Sequence, residues 1–161
     1  KVSATGGKVM FDDDQETPNV LDVNYEFEVD GKKKLMSFEV RHWYTNSEAG
    51  SKVGNIFYGS KGYMAIDWYE KAAVFFGEKE EPGPVWTGGG NHYANFIDAV
   101  RSRKTADLNC PIEEGAISCT LMHLGNIAYR VGRTLYFDRK TMSVVGDKEA
   151  NAMFTKVYGL L

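Results

Sequence analysis

The run Arg41-His42-Trp43-Tyr44-Thr45-Asn46-Ser47-Glu48 is the densest cluster of hydrogen-bonding and aromatic side chains in the chain. A guanidinium and a carboxylate, with amide and hydroxyl groups between them, can bond a row of hydroxyls. Aromatic faces can meet ring C–H groups. That mixture suits a sugar or polyol, and Arg41, Trp43, Asn46 and Glu48 are the candidate substrate contacts. The same residues also make an ordinary strand end with a wet aromatic rim, and composition does not choose between the two. His42 alone is not evidence of catalysis. His92, at a predicted helix start, is the fifth candidate.

Other clusters carry less chemistry. Asp12-Asp13-Asp14-Gln15-Glu16-Thr17-Pro18-Asn19 is rich in oxygen donors, but its spacing fails the calcium-loop template, which needs glycine at the sharp turn and a late glutamate. A solvated loop, or one that contacts a neighbouring domain outside this sequence, is expected there. Lys32-Lys33-Lys34 directly follows Asp30-Gly31, a hairpin signal, and reads as a solvated turn rather than a phosphate site. Cys110 and Cys119 do not make a metal motif, which needs four ligands at a recognisable spacing. Cys119 is expected to be a small buried apolar residue. The glycines from Gly54 to Gly62 lead into a strand rather than a helix, so they form no phosphate cradle.

The elements that must position these residues follow from periodicity. Leu21, Val23, Tyr25, Phe27 and Val29 alternate with Asp22, Asn24, Glu26 and Glu28, which predicts a half-buried strand. Asp30-Gly31 turns it, and Leu35 to Trp43 returns as its antiparallel partner. One face of this hairpin is apolar. The other is polar and free to meet water, a ligand or a partner. Val2 and Ala4, and Val9-Met10-Phe11, suggest short strands broken by Gly6-Gly7. Val53 to Ile66 reads as strand, turn, strand. Ala72 to Phe76 is a further strand, and Pro82-Gly83-Pro84 and Gly88-Gly89-Gly90 frame a loop.

Two helices are predicted next. Tyr93, Phe96, Ile97 and Val100 share one face behind an Asn91 N-cap. Ile117, Leu121, Leu124, Ala128 and Val131 share a face of the second, entered by Pro111 and ended by Gly132. His123 lies beside that stripe and is expected to pack. Thr134 to Phe137 reads as a short strand, and Asp147 caps a last short helix. Strands dominate the first half and helices the second. The expected fold class is therefore α+β, a mostly antiparallel open sheet with helices covering one face.

At 161 residues and 43% hydrophobic, the chain can bury one core, and residues 1–161 are expected to form a single domain. A net charge of −3 gives no basic field for nucleic acid. No apolar run approaches the roughly 20 residues of a membrane helix, so no membrane partner is expected. The chain begins at Lys1 already in strand-like alternation, as expected of a piece of a longer protein. Nothing in the residues chooses between a cytoplasmic and a periplasmic location.

The order of Ala4-Thr5-Gly6-Gly7, Asp13-Asp14-Gln15-Glu16-Thr17-Pro18, Glu39-Val40-Arg41, Gly54-Asn55-Ile56-Phe57-Tyr58-Gly59, Gly89-Gly90-Asn91-His92-Tyr93, Asn95-Phe96-Ile97-Asp98-Ala99-Val100-Arg101, Ile112-Glu113-Glu114-Gly115 and His123-Leu124-Gly125-Asn126 resembles the C-terminal domain of the Gfo/Idh/MocA family (glucose–fructose oxidoreductase, inositol dehydrogenase, rhizopine catabolism). The resemblance runs essentially end to end. It implies a two-domain oxidoreductase in which a Rossmann domain binds NAD or NADP and the α+β domain roofs the substrate site and forms the homo-oligomer contact. The usual reaction moves hydride between a sugar or polyol hydroxyl and the nicotinamide; some relatives use tightly held NAD to cleave glycosides. The dinucleotide fingerprint, the Glu-Lys-Pro lysine and the family's catalytic histidine have no counterpart here. No catalytic role therefore passes to His92 or His123, this piece is expected to hold no cofactor and to be inactive alone, and the Rossmann domain is an expected partner. A stand-alone interaction module built on the open sheet is the alternative from a different class.

Overall fold

The computed structural model describes residues 1–41 and 47–155. Its contacts divide the chain into two compact units, Lys1–Tyr44 with Ile112–Leu161 and Thr45–Pro111.

The first unit is built on an antiparallel sheet ordered β1-β2-β3, with β1 at Val2–Gly7, β2 at Val20–Val29 and β3 at Lys32–Arg41. Asp30 and Gly31 both take positive φ, as a two-residue hairpin turn requires. The lysine run is not the turn. Lys32, Lys33 and Lys34 sit within β3 opposite Val29, Glu28 and Phe27, though they remain solvated. Gly6 lies inside β1 rather than breaking it; a Cβ there would meet the Val20 carbonyl oxygen at 2.3 Å. Val9-Met10-Phe11 forms no strand and is exposed.

Helix α2, Ile112–Val131, covers the part of this sheet's apolar face formed by Val2, Leu21, Val23 and Tyr25, while Phe27, Met36 and Phe38 on the same face stay exposed. Leu124, Ile127 and Ala128 pack with Val2, Leu21, Val23 and Tyr25, and Leu135, Val144 and Ala150 complete the core. Tyr25 Oη donates to the Leu121 carbonyl at 2.7 Å, and burial pushes its phenol up to about 12. Gly125 sits where a Cβ would meet Val23 Cγ2 at 2.9 Å, so its cost to the helix is offset by a close approach to the sheet. Cys119 and His123 are exposed, against expectation. Both lie on the solvent side of a helix whose buried positions begin at Leu124. Gly132, at φ 65°, ends the helix. The chain then forms a small pair, β8 (Phe137–Asp138) with β9 (Ser143–Val144), and α3 (Lys148–Ala152), whose Asp147 cap accepts from the Ala150 N–H. Arg133 clamps Asp147 and Glu149 and holds the Asp147 carboxyl below its usual range.

The acidic loop between β1 and β2 is held by Asn19, 1% exposed. Its side chain accepts from the Val9 N–H at 3.0 Å and donates to the Phe11 carbonyl at 2.8 Å. Glu16 reaches Arg130 at 3.7 Å.

The second unit is a four-stranded antiparallel meander, β4 (Gly54–Gly59), β5 (Gly62–Asp67), β6 (Lys71–Phe76) and β7 (Glu81–Thr87), followed by α1 (His92–Ser102). The β7 strand corrects the expected loop at Pro82-Gly83-Pro84. Proline is tolerated on an edge strand or in a bulge, and the β6–β7 register shifts between Ala73 and Phe75. Gly83 is needed there, because a Cβ would meet the Phe76 ring at 2.6 Å. Asn91 caps α1 by accepting from the Ala94 N–H. Asn95 ties the helix to the following turn through the Asp107 carbonyl and the Asn109 N–H. The helix's own apolar stripe, Tyr93, Phe96, Ile97 and Val100, stands exposed. The chain is thus α+β with antiparallel open sheets, and α2 buries its stripe on one of them from Leu124 on, leaving Ile117 exposed.

Candidate functional site

The alternation that buries Val23 and Tyr25 under α2 turns Asp22, Asn24 and Glu26 to the opposite face of β2. The register places Thr5 and Glu39 beside Asp22, Ser3 and Ser37 beside Asn24, and Leu35 beside Glu26. Ser37 Oγ donates to Asn24 Oδ1 at 2.8 Å. Lys33 Nζ lies 3.0 Å from Glu26 Oε1, and Lys1 Nζ lies 3.5 Å from Oε2. The hydrogen bond from Lys33, helped by Lys1, holds the Glu26 carboxyl below its usual range against the opposing effect of desolvation. Arg41, at the end of β3 opposite Val20, places Nη2 3.0 Å from Glu39 Oε2. A shallow groove lined by Lys1, Ser3, Asn24, Glu26, Leu35 and Ser37 crosses this face.

This face offers carboxylates, an amide, hydroxyls and a guanidinium on a rigid sheet, a set that can bond several hydroxyls at once. The aromatic members of the same strands, Tyr25, Phe27 and Phe38, lie on the other side. Among the described residues, no three metal-ligating side chains are gathered for an ion.

Of the five candidates, Arg41 is on this face. Glu48 lies in the second unit, in a tight turn where it exchanges backbone bonds with Ser51 at 3.0 and 2.8 Å. His92 opens α1, exposed, its ring 4.1 Å from that of Tyr93. Trp43 and Asn46 lie outside the described residues. Ser37 and Glu39 were not among the candidates. Their signal is the register itself: each stands opposite a polar residue of β2.

The chain's glycine turns do not fit a dinucleotide. Gly59 and Gly62 close the β4–β5 hairpin. Gly88-Gly89-Gly90 does follow a strand, contrary to expectation, and leads into α1. That strand is the edge of an antiparallel meander, and Tyr93 stands where the fingerprint needs its third glycine. A Cβ on any of the three would meet nothing within 4 Å, so no close approach requires them.

The comparisons with known proteins bear on this fold. Residues 86–159 match the Gfo/Idh/MocA family model described as "Oxidoreductase family, C-terminal alpha/beta domain". The matched part of the chain, 86–159, is similar to the C-terminal domain of that family. The match takes in α1, α2, the β8–β9 pair and α3. His92 falls inside it; Arg41, Trp43, Asn46 and Glu48 precede it. No curated protein and no solved structure matches the chain. An alpha/beta description is consistent with the α+β arrangement of helices and antiparallel sheets described above.

Proposed function

We propose that residues 1–161 are the substrate-facing and oligomer-forming C-terminal domain of an NAD(P)-dependent oxidoreductase acting on a sugar or polyol hydroxyl, inactive without a Rossmann domain. The observation that carries the reading is the polar face of β1–β3. One side of that sheet packs Val2, Leu21, Val23 and Tyr25 against α2, and the other presents Asp22, Asn24, Glu26, Ser37, Glu39 and Arg41 together. Within this reading, the fixed side chains bond and orient the hydroxyls. Hydride acceptance, and the groups that take the hydroxyl proton, belong to the Rossmann half.

The test uses the complete gene product. It should reduce NAD or NADP with a panel of sugars and polyols, and Arg41→Ala should raise KM more than it lowers kcat. Reduction that is unchanged in Arg41→Ala, with Glu39→Ala also silent, removes this face from the substrate site. A stand-alone interaction module is the second reading. It is favoured by the exposed apolar residues of the second unit, among them Phe57, Tyr58, Val85 and Trp86. A start codon near Lys1 in the gene would support it over the first.

A further inference from the structure

Among the described residues, one buried side-chain oxygen is left without a partner, Asp67 Oδ1. Asp67 ends β5 and is half-buried. Lys71 opens β6 directly opposite it in the register, yet no hydrogen bond or ion pair joins the two among the described residues. A carboxylate with one oxygen sealed from water and unpaired is costly. Positive charge at the open side of the group offsets that cost.

The turn between the two strands, Trp68-Tyr69-Glu70, has room for such a charge. With Asp67 and Lys71 it lines a concavity of about 330 Å³, at the lower end of the range of small-molecule sites. All five residues belong to the second unit. The rings of Trp68 and Tyr69 meet edge-on, with centroids 6.4 Å apart and planes at 67°, and the residues are 54% and 86% exposed. Two rings at so steep an angle form a corner. Aromatic faces attract a cation lying within about 6 Å of the ring centre. Glu70 adds a second carboxylate to the same turn. The backbone braces the corner: Trp68 N–H donates to the Val53 carbonyl and Gly88 N–H to the Glu70 carbonyl, both at 2.8 Å. Trp68 takes φ 52°, a left-handed conformation that glycine or asparagine adopts more easily. A bulky indole held there is local strain of the kind found at binding sites.

We propose that this turn binds a small organic ammonium ion, a quaternary or methylated amine, with its methyl groups against the Trp68 and Tyr69 rings and its charge beside Asp67 and Glu70. A sugar would stack on one ring and leave the Asp67 charge uncompensated, whereas an organic cation meets both the rings and the carboxylate. The site stands on residues 67–71 alone and goes beyond the substrate reading above.

Choline is the probe, followed by NMR of the full chain at constant ionic strength, because salt screens exposed charge. The Trp68 indole N–H, assigned with Trp68→Phe, should shift saturably with a Kd on the order of millimolar. Tyr69→Ala should weaken binding about two- to fivefold and Asp67→Asn about tenfold. Lys71→Gln removes the competing cation and should tighten it. Amide shifts outside this hairpin should match the wild type in all three variants, showing that they fold. The uncharged isostere of choline, with carbon in place of nitrogen, should bind at least about tenfold more weakly. No saturation below about 100 mM choline overturns the proposal. So does equal binding of the isostere, which would make the corner merely apolar. A saturable response to glucose in place of choline also overturns it and would make the corner a sugar site.

Discussion

Gly125→Ala tests the packing of α2 on the first sheet. Two effects oppose each other. Alanine is better than glycine in a helix interior by about 1 kcal/mol. The added Cβ, however, would stand 2.9 and 3.1 Å from Val23 Cγ2 and Cγ1 and 3.2 Å from Tyr25 Oη. Val23 is β-branched, sits on the central strand and is 1% exposed, so it has little room to turn. Helix α2 must then lift, which also stretches the Tyr25–Leu121 bond. Overpacking of this kind costs about 1–3 kcal/mol. Subtracting the propensity gain leaves a net loss of roughly 0–2 kcal/mol, centred near 1. Gly115→Ala is the control. It lies in the same helix with nothing within 4 Å of its would-be Cβ, so it should gain up to about 1 kcal/mol. Urea unfolding followed by circular dichroism reads both. The two substitutions should move the midpoint in opposite directions. If Gly125→Ala stabilises as much as Gly115→Ala, the close approach of α2 to Val23 is wrong.

Three further outcomes follow from the same unit. Tyr25→Phe should cost about 0.5–1.5 kcal/mol, read by the same unfolding curves, because a buried donor bond is lost. The value should lie at the low end if Leu121 keeps its helical bond. The Tyr25 phenol is raised to about 12 in the fold and titrates near 10 unfolded. Its stabilising effect is therefore fully present below pH 10 and lost as pH rises to 12, at up to about 1.4 kcal/mol per pH unit, and Tyr25→Phe should flatten that part of the alkaline unfolding profile. Asn19→Ala removes both bonds that hold the acidic loop. It should cost about 1–3 kcal/mol and speed proteolysis between residues 8 and 18 more than elsewhere.

Much of this fold is written in local pattern. The unbroken alternation from Leu21 to Val29 defines β2, and Asp30-Gly31 defines its turn, because a two-residue hairpin needs two positive φ angles. Asn91 and Asp147 stand at helix starts and cap them. What stayed hidden depends on long-range pairing. Pro82 and Pro84 look like a loop until β7 is seen to be an edge. Periodicity says which residues of α2 share a face but not where along the helix the sheet begins to cover it, so His123 and Cys119 were expected inside. The same limit applies to the candidate site. Arg41 was visible as a residue type, but its place beside Glu39, in line with Ser37 and Asn24, is a matter of strand register. Residues 42–46, which hold Trp43 and Asn46, lie outside the described residues.

The central claim is that this chain supplies the substrate face and not the dinucleotide site. Titrating the isolated chain with NADH, read by tryptophan fluorescence and by calorimetry, tests it most directly. The account predicts no saturable signal below millimolar NADH from residues 1–161, and micromolar binding once a Rossmann half encoded in the same gene is attached. Micromolar binding by the isolated chain would contradict it.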